Sequence, residues 1–336
     1  MIEIEFIPIG EEVNTGDAIL CHFTEPVTGT DRVVLIDGGF VDTSDDIVKH
    51  VVTWYGRSSI DMVICTHPDD DHINGLTGVL ENVDVLNLVI HRPSEHGFNS
   101  DEVKSQKIED LISLAESRGT KVITGAFAGQ QWYNGAVMIA GPTKDFYLDQ
   151  LRAQTGVGAV TKSLGNLFGS AVRAVVAALK PRADDPGEGT LTDNGGTTPR
   201  NNSSIILDIQ IDGRRALLTG DAGVPALNAA ADVLDAAGRS TRYPDFFDVP
   251  HHGSRHNLDT AIATRLLGPV GGTQRGSAFV SVGKKATDFP RPEVANALKR
   301  RGYSVSPTRG QVIRWHRDAT PRPTWVSLIP LGWFDV

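Results

Sequence analysis

The sequence predicts a layered fold of mixed α and β structure, and three observations carry that expectation. Strand-like and helix-like stretches alternate through the first 140 residues, the alternation resumes after residue 202, and most of the helical stretches stop at a glycine. Hydrophobic residues make up 40% of the 336 and charged residues 22%, the balance of a globular chain with a core to fill.

Taken in order, IEIEFIPIG, AILCHFTE and RVVLIDGG read as strands by β-branched content and alternation, the last closed by a Gly-Gly turn. TSDDIVKHVVTWYG reads as a helix with Thr43 or Ser44 as N-cap and Gly56 as its stop. DMVICT is a strand that runs into a charged cluster, and a helix begins near His72. LNLVIH is a strand, DEVKSQKIEDLISLAESRG an acid-started helix, and GAVMIAGP a further strand. From about 144 to 202 the pattern changes: KDFYLDQL is a short helix, TKSLGNLFGSAVRAVVAALK an amphipathic one, and PRADDPGEGTLTDNGGTTPRNN a mobile loop or ordered insertion. SSIILDIQIDGRRALLTGD is then a hairpin turning at Asp212-Gly213. Helices at VPALNAAADVLDAAG, LDTAIATRLLG and RPEVANALKRRG alternate with strands at FFDVP and SAFVSV before closing strands, with no internal repeat.

Composition narrows the setting. No apolar run approaches the eighteen or so residues of a membrane span, and the opening MIEIEFIPIG is acidic where a signal peptide is basic, so a cytoplasmic protein without a membrane is expected. Cys21 and Cys65, far apart, disfavour a disulfide framework. The net charge of −9 argues against nonspecific coating of nucleic acid, yet it is unevenly spread. Residues 151–182 carry +5 and 284–322 carry +7, which leaves about −21 elsewhere.

The chemistry concentrates in THPDDDH, residues 66–72. His67, Asp69 and Asp71 alternate from the end of a strand and His72 follows, so four ligand-type side chains can converge above a carboxyl-terminal strand edge, where α/β proteins commonly build sites. Crowded carboxylates without a cation repel one another, and imidazole nitrogen with carboxylate oxygen suits zinc, manganese or iron.

The cluster resembles the H-x-H-x-D-H signature of the metallo-β-lactamase superfamily with Asp69 in place of the second histidine, and this H-x-D-x-D-H form looks like the hydrolase domain of the DNA-uptake protein ComEC and its stand-alone relatives. GDAIL, VLIDGG, THPDDDHINGL, GPT, NNSSIIL, LLTGDA and VPHHGSRHN occur in that family's order over nearly the whole chain. The resemblance implies an αββα four-layer sandwich of the α+β class, one domain over 1–336 with an inserted helix and loop near 144–202. It also implies two divalent metal ions, zinc or manganese, activating a bridging hydroxide. His67 and Asp69 would hold the first ion, Asp71 and His72 the second, and Asp221 both. His252 would complete the second ion while His251 contacts substrate or shuttles a proton, Asp71 orients the nucleophile, and Asp37 orients the ligand loop.

Two departures qualify the resemblance. Asn201-Asn202 stand where the superfamily commonly has a histidine, so the first ion has at best an amide oxygen there, which shifts preference toward harder ions such as manganese. Phe289 stands where related proteins carry the histidine of Gly-His-Pro. Lys284 and Lys285, after SAFVSVG, are candidates for substrate contact. A phosphodiesterase or nuclease is the leading expectation, with nucleic acid or another phosphodiester as substrate; the alternatives are a lactone, thioester or phosphorylcholine-type hydrolase and a binding protein on a decayed site.

Overall fold

A computed structural model of the chain describes residues 1–10, 12–156, 187, 191, 196–271, 273–322, 325 and 327–336. The amphipathic helix expected over 161–180, and with it the basic residues from Lys162 to Arg182, lie outside the described residues, as does most of the loop expected to follow.

In chain order the strands are β1 (Ile2–Phe6), β2 (Ile19–Thr24), β3 (Asp31–Ile36), β4 (Ser59–Ile60), β5 (Met62–Ile64), β6 (Asp84–Val85), β7 (Asn87–Val89), β8 (Lys121–Ile123), β9 (Gln131–Trp132), β10 (Val137–Gly141), β11 (Ile206–Ile211), β12 (Arg214–Leu218), β13 (Phe246–Asp248), β14 (Gly276–Val280), β15 (Tyr303–Pro307) and β16 (Ile313–Arg317). The helices are α1 (Thr43–Tyr55), α2 (Asp70–Asn82), α3 (Ser105–Ser117), α4 (Lys144–Thr155), the one-turn α5 (Pro199–Asn202), α6 (Val224–Ala236), α7 (Thr260–Leu267) and α8 (Pro292–Arg300).

Two seven-stranded sheets result, in the orders β16-β1-β2-β3-β5-β7-β8 and β15-β14-β13-β12-β11-β10-β9. Each is antiparallel in one part and parallel in the other: β3, β5, β7 and β8 run parallel in the first sheet, and β12 to β15 in the second. The sheets face each other across a core in which Phe6, Phe246 and Phe279 meet edge to face with ring centres 5.0–5.9 Å apart. Ile47, Leu76 and Leu111 of α1, α2 and α3 close a second core on the outer face of the first sheet. Leu227, Ile262 and Leu298 of α6, α7 and α8 close a third on the second sheet. Helix, sheet, sheet and helix therefore form the four-layer αββα sandwich. Among the described residues no helix is long and apolar enough to cross a membrane, and both cysteines are free and buried.

Local details follow from the residues. In β1, Ile2, Ile4 and Phe6 enter the inter-sheet core while Glu3 and Glu5 point outward. Both acids are nevertheless buried, because α1, β16 and the C-terminal segment cover them with His50, Tyr55, Arg314 and Arg322. The β11–β12 hairpin turns at Asp212 (φ 49) and Gly213 (φ 72), as its Asp-Gly pair dictates. Gly56 ends α1 with φ 63, but Thr43 and Ser44 lie inside the helix rather than capping it. Their amides already bond to Phe40 and Val41 carbonyls, so a preceding turn does the work of a cap.

Helix α2 starts at Asp70, two residues before His72, and lies almost on the loop that follows β3. A Cβ on Gly75 would stand 1.9 Å from the Gly38 carbonyl oxygen, and one on Gly38 would stand 2.6 Å from the Leu76 nitrogen. Only glycine at both places lets helix and loop approach so closely, with His72 over Asp37.

Candidate metal centre

The loops that leave β3, β5, β12 and β13 all emerge at carboxyl-terminal strand ends, and they bring the titratable cluster together. Asp37 follows β3, His67 to His72 follow β5, Asp221 follows β12, and His251-His252 follow β13.

Asp221, 3% exposed, stands at the middle. Its Oδ2 lies 3.7 Å from His67 Nε2 and 3.6 Å from His251 Nε2, while its Oδ1 lies 3.5 Å from His72 Nε2 and 3.6 Å from His252 Nε2. Asp69 Oδ2 approaches His67 Nε2 at 3.7 Å, and Asp71 approaches His72 Nε2 and His252 Nε2 at 4.0 and 3.8 Å. One carboxylate thus divides the cluster into a first position, facing His67, Asp69 and His251, and a second, facing Asp71, His72 and His252. His67 Nε2, His72 Nε2, His252 Nε2 and Asp221 Oδ1 are buried with no hydrogen-bond partner. Lone pairs converging at 3.5–4.0 Å without donors, buried and unsatisfied, are costly unless a cation lies among them. The donor set fits two such cations.

Hydrogen bonds behind the cluster fix which nitrogen faces it. Asp37, fully buried, accepts the Thr66 amide (2.7 Å), the Thr66 hydroxyl (2.6 Å) and His72 Nδ1–H (2.8 Å). Because the Thr66 hydroxyl donates to Asp37, it accepts from His67 Nδ1–H at 3.0 Å. Both histidines are therefore held with Nε2 free, the arrangement a metal ligand needs.

The crowding also shifts the titration of these groups. Burial, together with the neighbouring His72, pushes His67 well below an ordinary histidine, and burial holds His252 down at about 3. Burial would lower His72 as well, but the Asp221 and Asp37 carboxylates outweigh it and raise that ring well above its usual value. Burial would raise Asp221, yet His251, His72 and His252 together hold it well below the carboxylate range. Asp71 is raised by burial.

Other side chains serve at one remove. Asp70 turns outward to Lys104 and Lys107 at 2.9 and 2.6 Å. Asp69 occupies the N-cap position of α2 without capping it, since one oxygen pairs with Arg200 and the other faces His67. Asn201 donates its amide to Asp221 Oδ2 at 3.2 Å, whereas Asn202 uses its amide oxygen to accept the Gly223 amide at 3.1 Å. Lys284 and Lys285 are exposed, and Lys285 pairs with Glu12 at 2.7 Å. Phe289 packs on the third core under the Arg291 guanidinium.

Four further residues join the centre that the sequence pattern does not single out. Asp17, 3% exposed, stands 3.7 Å from His252 Nδ1 and 3.9 Å from His72 Nδ1, behind both rings. Asp248 accepts the Thr219 and Gly220 amides at 3.0 and 3.2 Å and so sets the turn that presents Asp221; burial raises its carboxyl to about 7. Asn257 bonds His251, and Arg200 bonds Asp69. Asp17 and Asn257 stand within GDAIL and VPHHGSRHN, so a signal was present, but their partners lie far along the chain.

The histidine pair has unusual backbone. His251 and His252 take left-handed conformations in succession (φ 49 and 56), followed by Gly253 at φ 82. Left-handed backbone costs a residue with a side chain roughly 1–2 kcal/mol, and it persists where surroundings enforce it. Here it sends adjacent rings to opposite oxygens of Asp221.

The family model described as the metallo-beta-lactamase superfamily matches residues 19–267 of the chain. No curated protein matches it. Among solved structures it is similar to a diphosphatase from the PhnP family, with 12% identity over 95% of this chain and 98% of that one and a TM-score of 0.41. It is also similar to a Cronobacter sakazakii metallo-β-lactamase with a HARLDQ motif (12% identity, 69% and 66% covered, TM-score 0.33). A third likeness is to the superfamily protein ST1585 from Sulfolobus tokodaii (14% identity, 77% and 82% covered, TM-score 0.31).

Proposed function

Because the chain belongs to the metallo-β-lactamase superfamily, made up mostly of metal-dependent hydrolases, we propose that it hydrolyses a phosphodiester with two divalent cations. The observation that carries this reading is that the two oxygens of buried Asp221 face different ring nitrogens, His67 Nε2 on one side and His72 and His252 Nε2 on the other, all three buried and without a hydrogen-bond partner. His67, Asp69 and Asp221 would hold the first cation, and Asp71, His72, His252 and Asp221 the second. Bound there, the cations would lower the pKa of a water from about 15.7 toward 7 and so supply a nucleophile at neutral pH.

The chain's own part is to orient and to expose. Asp37 and Thr66 hold His67 and His72 in the ligating tautomer, and Asp248 holds the turn of Asp221. Asp69, Asp71 and His251, at 22–36% exposure, rim the cleft, while the other ligands form its floor at 0–4%. A substrate phosphate therefore enters over Asp69 and Asp71. The oxygen-rich donor set favours manganese at least as well as zinc, and hard ions pair well with phosphate oxygen.

A small diester needs no extended basic track, and four of the ten basic residues of 284–322 are engaged within the fold: Arg301 is fully buried, Arg314 and Arg322 pair with Glu3 and Glu5, and Lys285 pairs with Glu12. The test is a panel of bis(p-nitrophenyl) phosphate, p-nitrophenyl phosphate, a homoserine-type lactone and single-stranded DNA, each with manganese and with zinc. Turnover of the diester above the monoester and lactone, with manganese at least equal to zinc, is the expected result. Turnover of the lactone alone would overturn the phosphodiester reading, and DNA cleavage that falls steeply with salt would replace the small diester by a nucleic acid.

A further inference from the structure

The first position has one ligand fewer than the second if only the motif residues count, and the residue that makes up the difference is the neighbour of a ligand already assigned. We propose that His251 is a ligand of the first cation, held in the ligating tautomer by Asn257, so that the two histidines of the His-His-Gly turn serve one cation each. This rests on the dinuclear reading above and assigns the fourth donor of its first position.

Three observations carry it. First, His251 Nε2 lies 3.6 Å from Asp221 Oδ2, the same oxygen that lies 3.7 Å from His67 Nε2, so it stands on the side of the first position. Second, the tautomer is determined. Asn257 is fully buried and its amide nitrogen donates to two carbonyls, Asp221 O at 2.9 Å and Ala222 O at 3.2 Å. Its Oδ1 is then the atom that meets His251 Nδ1 at 3.1 Å, and an amide oxygen only accepts. The ring proton therefore sits on Nδ1, and Nε2 presents a lone pair to the cleft. A lone pair so aimed at the cleft is what a ligand needs. Third, Asn257 also grips the carbonyl of Asp221 itself, so one buried amide sets both the bridging carboxylate's backbone and the ring beside it.

Nothing on α5 competes for the place. Asn202 faces Gly223, and Asn201 presents its amide nitrogen to Asp221. A nitrogen donor from the turn after β13 would thus take the part that a histidine ahead of β11 would otherwise play.

The experiment is a metal titration of the full chain by calorimetry, with manganese and with zinc, for the wild type and His251→Ala. His251 is about one-third exposed, so its truncation removes little packing, and circular dichroism checks the fold. The wild type should bind two ions; the variant should keep one at unchanged affinity and bind the other at least tenfold more weakly. A second variant, His251→Cys, loaded with cobalt(II), should show a thiolate-to-cobalt charge-transfer absorption that the cobalt wild type lacks. Two ions bound with unchanged affinity in His251→Ala, or no new absorption in folded His251→Cys, would overturn the role of His251 and leave the dinuclear reading standing. A folded wild type that binds no ion would overturn both.

Discussion

Asp37 shows how much of the centre depends on a residue that never faces the cleft. Its two oxygens receive three donors, from the Thr66 amide, the Thr66 hydroxyl and His72 Nδ1. In Asp37→Asn the new NH2 group must face either the Thr66 amide, which unseats the ligand loop, or the Thr66 hydroxyl and His72 Nδ1 together, which releases both rings. Metal affinity measured by titration should fall about 10- to 100-fold while far-ultraviolet circular dichroism stays the same. Unchanged affinity would mean that the rings are oriented by packing alone. At this scale the sequence was legible where neighbours in space are neighbours in the chain. His67, Asp69, Asp71 and His72 fall within six positions, so their convergence is written in one short stretch. Arg200 with Asp69 and Asp17 with His252 were not legible, because loops from distant parts of the chain bring each pair together.

Among the elements, the two close approaches make opposite demands. Helix α2 needs a residue without a side chain at 75, since a Cβ there would stand 1.9 Å from the Gly38 carbonyl oxygen. Gly75→Ala would ordinarily strengthen a helix; here it should destabilise by about 1–3 kcal/mol, read from urea midpoints, because helix and ligand loop must part. The β1 edge instead needs charge. Burial would raise the Glu5 carboxyl, but His50 and Arg322 outweigh it and hold it at about 2, against 4.5 when the chain is unfolded. That depression is worth about 3 kcal/mol, fully present above pH 4.5 and lost as pH falls toward 2. Glu5→Gln should accordingly lose stability at pH 7, with the gap to wild type closing near pH 2 in urea titrations; a gap independent of pH would refute the assignment. The longer elements were legible because their apolar period runs over several turns. Strands of two or three residues such as β4, β6, β8 and β9 show no period, and α2 begins at Asp70, two residues ahead of His72, with Asp69 at its cap and that carboxylate used elsewhere.

The molecule as a whole is two sheets that meet at the centre as well as in the core. His67, Asp69, Asp71 and His72 come from the first sheet, and Asp221, His251 and His252 from the second. Cations shared through Asp221 would then tie the halves together, and anything bound to the folded chain alone stabilises it, by about 2.7 kcal/mol at a hundred times its dissociation constant. Removing metal should lower Tm by at least about 5 °C, seen as a shift between chelator-treated and metal-loaded samples in scanning calorimetry. Coincident transitions would mean that the sheets hold each other without help. The unequal exposure around the two positions also sets an order of departure. Among the described residues the first is rimmed by Asp69 and His251, and the second is closed over by His72 and His252 with Asp71 on its more open side. A competing chelator reaches the first ion directly and the second only after it, so stripping should run in two phases through a species that carries one ion. The chain would then spend part of any metal shortage half-loaded, and the proposed hydrolysis would follow the supply of the more loosely kept ion.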